Sequence, residues 1–251
     1  AAEKFIELLK FSKEGCSVVY QLSDGAITPV AGSKISVFFP TIIDSNLPFL
    51  VDAPFQTSTT RESIDFELPH NKNIVDKFSS LFSESITKLK ALNLFTVDVF
   101  NDVMPIDTIE ESEDFPIYKK LHATFLEDVK TLPLVPTNHN DLLPVAKIVV
   151  AHKSETIELL NHIPSLHFAH QNLSATAIAF INQIGARTFG PLDLLNLINQ
   201  DKINLSEQTD EWLYKLYEYC LITMLGNRWN WKLIQTLKLT PIIKTRSGGF
   251  T

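Results

Sequence analysis

Hydrophobic and polar positions alternate in the first part of the chain, as they do in strands that face a core on one side. The stretch CSVVYQLSDG alternates and ends at Asp24 and Gly25, which predicts a strand and then a tight turn. The run ISVFFPT, residues 35–41, predicts a buried strand that ends at Pro40. A turn near Ser45 and a second strand at residues 49–51 follow. We expect neighbouring antiparallel strands of one sheet.

A helical period replaces this alternation after residue 70. Apolar side chains recur at Ile74, Phe78, Leu81, Phe82, Leu89 and Leu92, with Val75 and Ile86 on the same broad face. This spacing predicts a helix over residues 71–92, with His70 or Asn71 near its start. Lys88 and Lys90 suit the negative end of the helix dipole. The pattern favours an α+β fold in which one long helix covers an N-terminal sheet.

An acidic stretch at residues 105–115, which begins with a proline, divides the chain, and we interpret it as a linker or a domain seam. The remainder is mainly helical in pattern. Helices are expected before Pro164, up to Gly185, from Pro191, and over residues 206–226 with Ser206 or Thr209 as the cap. The predicted domains are therefore an α/β domain at residues 1–105 and a mainly helical domain at residues 106–251.

Two stretches of the second domain resemble each other. Residues 132–143 and 240–251 share a proline, two aliphatic residues, a threonine and a polar turn, and each predicts a short β-hairpin. The second copy stops within its second strand, which suggests a fragment of a longer chain.

Composition restricts the partners. The net charge is −7, and neither half of the chain has a basic excess, which argues against nucleic acid. Two cysteines provide neither zinc spacing nor a disulfide framework, so a reducing, cytoplasmic location fits best. No window approaches the length of uninterrupted apolar sequence that a membrane span needs, so we expect no membrane partner.

Motifs for self-contained catalysis are missing from the sequence. It has eight glycines and neither G-x-G-x-x-G nor a phosphate-binding P-loop motif, so it predicts no nucleotide site of its own. His167 and His170 form H-x-x-H without a clear third ligand, so we expect no metal site. No G-x-S-x-G elbow is present, and a stand-alone hydrolase remains only an alternative.

The run TSTTRE, residues 57–62, combines four hydroxyl side chains with an arginine after the predicted sheet. In one interpretation the hydroxyl groups form a polar turn, and Arg61 pairs on the surface with Glu62 or Glu67. In the other, a rigid connection between sheet and helix presents Arg61 to phosphate oxygens. Composition leaves both interpretations open.

The sequence resembles sacsin-like proteins over most of its length. The similarity rests on VFFPT, LPF, APF and TSTTRESI, and on the later stretches LPLVPT, IGARTFGPLDLLNLI and DEWLYKLYEYC. Those proteins carry an ATPase domain of the GHKL superfamily, and this chain resembles the region that follows it. The resemblance implies an α/β middle domain with a βαβ core, like that of the ATP-driven heat-shock chaperone. It also implies that Arg61 reaches the γ-phosphate of ATP bound in the preceding domain, with Gln56, Thr59 and Thr60 in the loop near that phosphate.

The resemblance also implies what this chain does not supply. No D-x-G-x-G and no helix with the asparagine that would hold Mg²⁺ is recognisable, so ATP and Mg²⁺ would be bound mainly by an absent upstream domain. We expect no ATP hydrolysis by these residues alone. The expected partners are that ATP-binding domain and client proteins. The alternative from another class is a non-enzymatic interaction module whose helices, from about residue 116 onward, bind other proteins.

Overall fold

The fold is described by a computed structural model, which covers residues 7–107, 115–151, 154–160, 163, 166–226 and 230–251. They form a mixed α+β protein, as the sequence predicts. Packing divides them into two compact units. The first comprises the chain up to Pro136, with Asn140–Ala146 and Asn172–Gly185, and the second comprises Thr137–His139, Lys147–Gln171 and Ala186–Thr251. The predicted domain boundary near residue 105 stays a prediction, and most of the predicted linker lies outside the described residues.

One mixed sheet organises the first unit. Its strands are β1 (Glu7–Lys13), β2 (Cys16–Ser23), β3 (Ala26–Thr28), β4 (Lys34–Val37), β5 (Phe39–Asp44) and β6 (Leu50–Asp52). The order is β1-β2-β6-β4-β5, with β3 paired to β2 as well. The predicted turn at Asp24 and Gly25 is confirmed, because it joins β2 to β3 as an antiparallel hairpin.

The prediction of one buried strand over residues 35–41 is wrong. Phe38 has a left-handed backbone (φ 61°) and separates β4 from β5, which pair antiparallel. Phe38 and Phe39 are 76% and 67% exposed, so a run that is apolar in sequence forms a surface turn. The predicted antiparallel arrangement with the next strand is also wrong, since β4 and β6 pair in parallel. A short apolar run does not reveal which of its side chains face a core.

The predicted long helix is confirmed as α1 (Pro69–Ala91), which packs against β1 and β2. Its buried face contains Ile74, Phe78, Leu81, Phe82, Ser85, Ile86 and Leu89, whereas Leu92 lies beyond the helix and is exposed. The rings of Tyr20, Phe49 and Phe82 contact in series, with centroids 5.3 and 5.6 Å apart. The Tyr20 hydroxyl lies 2.9 Å from Ser85 Oγ, and burial raises the pKa of that tyrosine. This hydrogen bond satisfies the polar atom that the aromatic core encloses.

The first unit is completed by shorter elements: α2 (Val97–Asp102), α3 (Pro116–Thr131), the antiparallel strands β7 (Val135–Pro136) and β8 (Leu142–Leu143), and α5 (Ala175–Gln183). The hairpin predicted at residues 132–143 is therefore confirmed. Helix α3 packs on α1, where Phe125 lies between Phe82 and Phe180. Residues 105–107 also belong to this packing, because the His122 ring contacts the Pro105 carbonyl oxygen at 2.7 Å.

The second unit contains a three-stranded parallel sheet that the sequence analysis did not predict. Its elements are β9 (Ile148–Ala151), α4 (Ser154–Leu160), β10 (His167–Phe168), β11 (Arg187–Phe189), α6 (Pro191–Asn199), α7 (Asp210–Gly226) and α8 (Trp231–Leu239). The strand order is β10-β9-β11. Strands β9 and β10 with α4 make a βαβ unit. In the first unit, by contrast, α1 does not connect two parallel strands of the described sheet.

Several helix starts in this unit match their predictions. Pro191 is the first residue of α6, and the hydroxyl of Thr209, rather than that of Ser206, accepts a hydrogen bond from the Trp212 backbone at the start of α7. The hairpin predicted at residues 240–251 is present as an antiparallel bridge between Lys244 and Phe250. Among the described residues, no helix has the length and apolarity that a membrane crossing requires.

Candidate functional site

Residues 57–64, which we call the arginine loop, form a closed turn between β6 and α1. An antiparallel bridge joins Thr57 to Ile64 and closes the loop at its base. Ser58 organises the interior. Its Oγ accepts hydrogen bonds from the backbone N–H groups of Glu62 (3.2 Å) and Ser63 (3.3 Å), and its carbonyl accepts from that of Arg61 (3.0 Å). The loop therefore has a defined conformation of its own.

Arg61 lies at the exposed side of this loop with a left-handed backbone (φ 58°). Such a conformation costs a side-chain-bearing residue about 1–2 kcal/mol relative to a right-handed one. The guanidinium carbon lies 5.8 Å from the centroid of the Phe39 ring, within the range of a cation–π contact. Phe39 is the first residue of β5, directly after the β4–β5 turn, so the contact joins two segments that lie apart in sequence.

The acidic residues near Arg61 are bonded to other groups. Glu62 accepts a hydrogen bond from the Thr60 hydroxyl at 3.1 Å, and Glu67 pairs with Lys72 at 2.6 Å. No ion pair of Arg61 occurs among the described residues. The surface pairing with Glu62 or Glu67, which the sequence left open, is therefore not what the structure contains.

A buried asparagine holds both ends of the loop. Asn71, in the first turn of α1, is 0% exposed. Its Oδ1 accepts from the Gln56 backbone N–H (2.8 Å), and its Nδ2 donates to the carbonyl oxygens of Gln56 (2.9 Å) and Asp65 (2.8 Å). Three hydrogen bonds satisfy most of what a buried amide can make. The sequence placed Asn71 near the helix start but did not identify this role.

The β4–β5 turn that carries Phe39 is held by a second polar contact. Asp52 Oδ1, at the end of β6, accepts a hydrogen bond from the Phe38 backbone N–H at 3.1 Å. This bond satisfies a backbone donor in the tight reversal, where Val37 and Phe39 are paired. Residues 53–56 separate this end of β6 from the arginine loop.

The other residues predicted for the site have different positions. Thr59 and Thr60 are exposed in the arginine loop beside Arg61, and Thr60 Oγ1 lies 3.4 Å from Ser58 Oγ. Gln56 lies at the base of the loop, where its backbone is bound to Asn71. Their proximity to a phosphate stays a prediction. Phe39 and Asn71 are the residues that sequence reasoning missed.

This arrangement can bind an anion that approaches from outside. A guanidinium presents five N–H donors in a plane, and two of them match a phosphate or a carboxylate in parallel. Residues 57–64 line neither of the two clefts of the first unit that are described below. An exposed arginine on a fixed loop is thus suited to complete a site whose other parts belong to another domain or molecule.

Other candidate chemistry finds little support. No group of three or more histidine, cysteine, aspartate or glutamate side chains suited to a metal ion occurs in the part of the chain that the structure describes. The first unit has clefts of about 520 and 570 Å³, one beside Asp44 and Asp102 and one beside Lys72 and Lys120. Histidine lines neither cleft among the described residues, so these clefts do not favour a histidine-dependent hydrolase.

Comparison of the chain with protein-family models, with curated proteins and with solved structures finds no match. The resemblance to sacsin-like proteins therefore stays a prediction. What the structure establishes is a mixed α+β fold in two compact units.

Proposed function

We propose that this chain is the middle region of a sacsin-like, GHKL-type ATPase with a chaperone-like role, and that Arg61 contacts the γ-phosphate of ATP. ATP and Mg²⁺ are held mainly by an upstream domain in this proposal. The observation that carries it is the state of Arg61. The arginine is exposed on a closed loop, and the nearby acids Glu62 and Glu67 bind Thr60 and Lys72 instead.

The geometry supports a role in stabilising negative charge. In phosphoryl transfer, a positioned arginine neutralises charge that develops on the phosphate oxygens. A residue that acts in this way needs a fixed backbone and free N–H edges. Arg61 has both, because Ser58 and Asn71 fix the loop and the guanidinium contacts Phe39 rather than a carboxylate. The arginine would also couple the conformation of the protein to the nucleotide, since its contact with the phosphate forms only when ATP is bound.

The test is ATP hydrolysis by the longer protein in which an ATP-binding domain precedes these residues. Arg61→Ala is expected to lower kcat by about 100-fold or more, because a charge-stabilising donor is lost in the transition state. The kcat of Arg61→Lys is expected to lie between those of the unaltered protein and Arg61→Ala, since lysine keeps the charge and loses the two parallel N–H donors of arginine. Nucleotide affinity, measured by calorimetry, should change less than kcat.

Arg246→Ala is the matched control, because Arg246 is also exposed and follows a threonine in a hairpin loop. It is expected to leave kcat unchanged. A rate for Arg61→Ala equal to that of the unaltered protein would remove Arg61 from the reaction. A coding sequence without an upstream asparagine-bearing helix and D-x-G-x-G would contradict the proposed class.

A second candidate function, protein interaction without catalysis, is favoured by one surface of the second unit. Tyr214, Leu221 and Leu225 lie on one face of α7, and each is more than half exposed. The opposite face of the helix buries Leu213 and Leu216 in the core of that unit. Exposed apolar stripes of this kind are typical of sites that bind other proteins.

The double variant Leu221→Ser with Leu225→Ser tests this second candidate. We expect it to keep its helical circular dichroism and to suppress the light scattering of an aggregating test protein less well than the unaltered chain. Glu218→Gln, at an exposed position between Tyr214 and Leu221, is the control and should behave like the unaltered chain. If neither the unaltered chain nor the variant affects aggregation, the stripe has no client-binding role.

A further inference from the structure

The contact between Arg61 and Phe39 has a geometry of its own. An arginine near an aromatic ring can use the face of its guanidinium, which leaves the N–H groups at the edge of the plane for anions. The guanidinium carbon of Arg61 lies 5.8 Å from the centroid of the Phe39 ring. Phe39 itself is 67% exposed, so the ring is not explained by packing in the core.

We propose that Phe39 is a positioning residue for Arg61, and that its ring holds the guanidinium by one face while the N–H edge stays available to phosphate. This inference rests on the proposed function for its consequence in catalysis. Its structural part, the hold of Phe39 on Arg61, stands on the contact alone.

Without such a contact, the conformational freedom of an exposed arginine weakens its binding to an anion. Ordering a long, flexible side chain costs free energy each time it binds. A neighbouring ring reduces this cost because it restricts the guanidinium before the ligand arrives. The ring also carries no charge and accepts no strong hydrogen bond, so it does not compete with the phosphate as a carboxylate would.

The ring is in turn fixed by the strained reversal that precedes it. Phe38 adopts a left-handed conformation (φ 61°), which is uncommon for a bulky residue, and its N–H is bound to the carboxylate of Asp52. Strain of this kind persists only where surrounding contacts hold it, and it concentrates at functional sites. Phe39 directly follows this reversal, and its ring centroid lies 5.8 Å from the Arg61 guanidinium carbon.

The structural part is tested by nuclear magnetic resonance on this chain. The side-chain protons of Arg61 are expected to show an upfield ring-current shift, which Phe39→Leu abolishes. Phe39→Tyr and Phe39→Trp should restore the shift, because each keeps an aromatic face. Ile42→Ala is the control, since it alters another exposed apolar side chain of β5 and should leave the Arg61 signals in place. Unshifted Arg61 protons in the unaltered chain would overturn the proposal.

The catalytic part is tested in the longer ATPase. Phe39→Leu is expected to lower kcat by about 2- to 5-fold, which corresponds to an exposed cation–π contact. KM should change less, and Phe39→Tyr should restore the rate. In an Arg61→Ala background, Phe39→Leu should have no further effect. An equal loss in both backgrounds would show that Phe39 acts other than through Arg61.

The two failures are distinguishable. If Arg61→Ala does not change hydrolysis, the proposed function fails, while the ring-current shift still decides whether Phe39 holds Arg61. If Arg61→Ala lowers the rate but Phe39→Leu changes neither shift nor rate, the positioning role fails alone.

Discussion

Two loops of this chain present a Thr-Arg pair in a hairpin, and they differ in where the backbone is strained. The arginine loop closes with the Thr57–Ile64 bridge, and the C-terminal loop, residues 244–250, closes with the bridge between Lys244 and Phe250. In the C-terminal loop the left-handed residue is Gly248 (φ 87°), which has no side chain to clash. In the arginine loop it is Arg61 itself.

The anchors of the two loops differ as well. Lys244 of the C-terminal loop pairs with Asp210 at 2.6 Å, and the two side chains are 42% and 86% exposed. Asn71 holds the arginine loop from a fully buried position. An exposed ion pair contributes about 0–1 kcal/mol to the free energy of unfolding. Loss of a buried amide costs more, because it leaves several buried backbone groups without a hydrogen-bond partner. The C-terminal loop is also held at Lys244, whose backbone N–H donates to the Tyr217 hydroxyl at 3.0 Å. The comparison teaches that the two loops differ in their left-handed residue, glycine in one and arginine in the other, and in the fully buried amide that holds both ends of the arginine loop.

The largest expected effect is that of the buried anchor. Asn71→Ala should lower the free energy of unfolding by about 2–4 kcal/mol, because the Gln56 N–H and two carbonyl oxygens lose their partner. Lys244→Ala should cost at most about 1 kcal/mol. Urea denaturation measures both values. Asn73→Ala, at an exposed position of the same helix, is the control. Equal losses for Asn71→Ala and Lys244→Ala would remove the distinction between the loops.

The second effect concerns the interior of the arginine loop. Ser58→Ala should cost about 1–2 kcal/mol, because the N–H groups of Glu62 and Ser63 lose their acceptor. Hydrogen exchange at these two amides should become faster. Ser63→Ala is the matched control, since Ser63 joins the network through backbone atoms. Unchanged exchange in Ser58→Ala would mean that the loop conformation does not depend on this hydroxyl.

The smallest effect tests the strain itself. Arg61→Gly should be more stable than Arg61→Ala by about 1 kcal/mol, because glycine adopts the left-handed conformation freely. The same order is expected in the C-terminal loop, where Gly248→Ala should destabilise the chain by about 1 kcal/mol. Thermal unfolding of the unaltered chain and of the Arg61→Gly, Arg61→Ala and Gly248→Ala variants measures both differences in stability. If alanine were as stable as glycine at position 61, the left-handed conformation there would not be strained.

Local patterns predicted the elements whose causes are local. The period of Ile74, Phe78 and Phe82 identified α1, and Pro191 identified the start of α6, because each signal lies within the element itself. Strand β10 escaped prediction since it is two residues long and depends on β9 for its pairing. The exposure of Phe38 and Phe39 was missed for a related reason, since the reversal between β4 and β5 is bonded to Asp52 at the end of another strand.

The candidate site divides in the same way. Arg61 became a candidate from its sequence context and from the resemblance to sacsin-like proteins, because four hydroxyl residues before an arginine are a local signal. Phe39 and Asn71 were not, because their contacts with the loop and its base join residues well apart in sequence. No pattern within the run TSTTRE indicates which ring or which amide will meet it. A three-dimensional arrangement was needed for that.

Helix α1 gives the arginine loop a mechanical connection to a distant point. With 23 residues the helix is about 34 Å long, and it behaves as a stiff rod over that length. Near one end, Asn71 grips the chain on both sides of the loop, and near the other, Lys90 Nζ donates to the carbonyl oxygen of Pro133 at 3.0 Å. A displacement of helix α1 along its axis would therefore move the arginine loop and the residues just before the β7–β8 hairpin together.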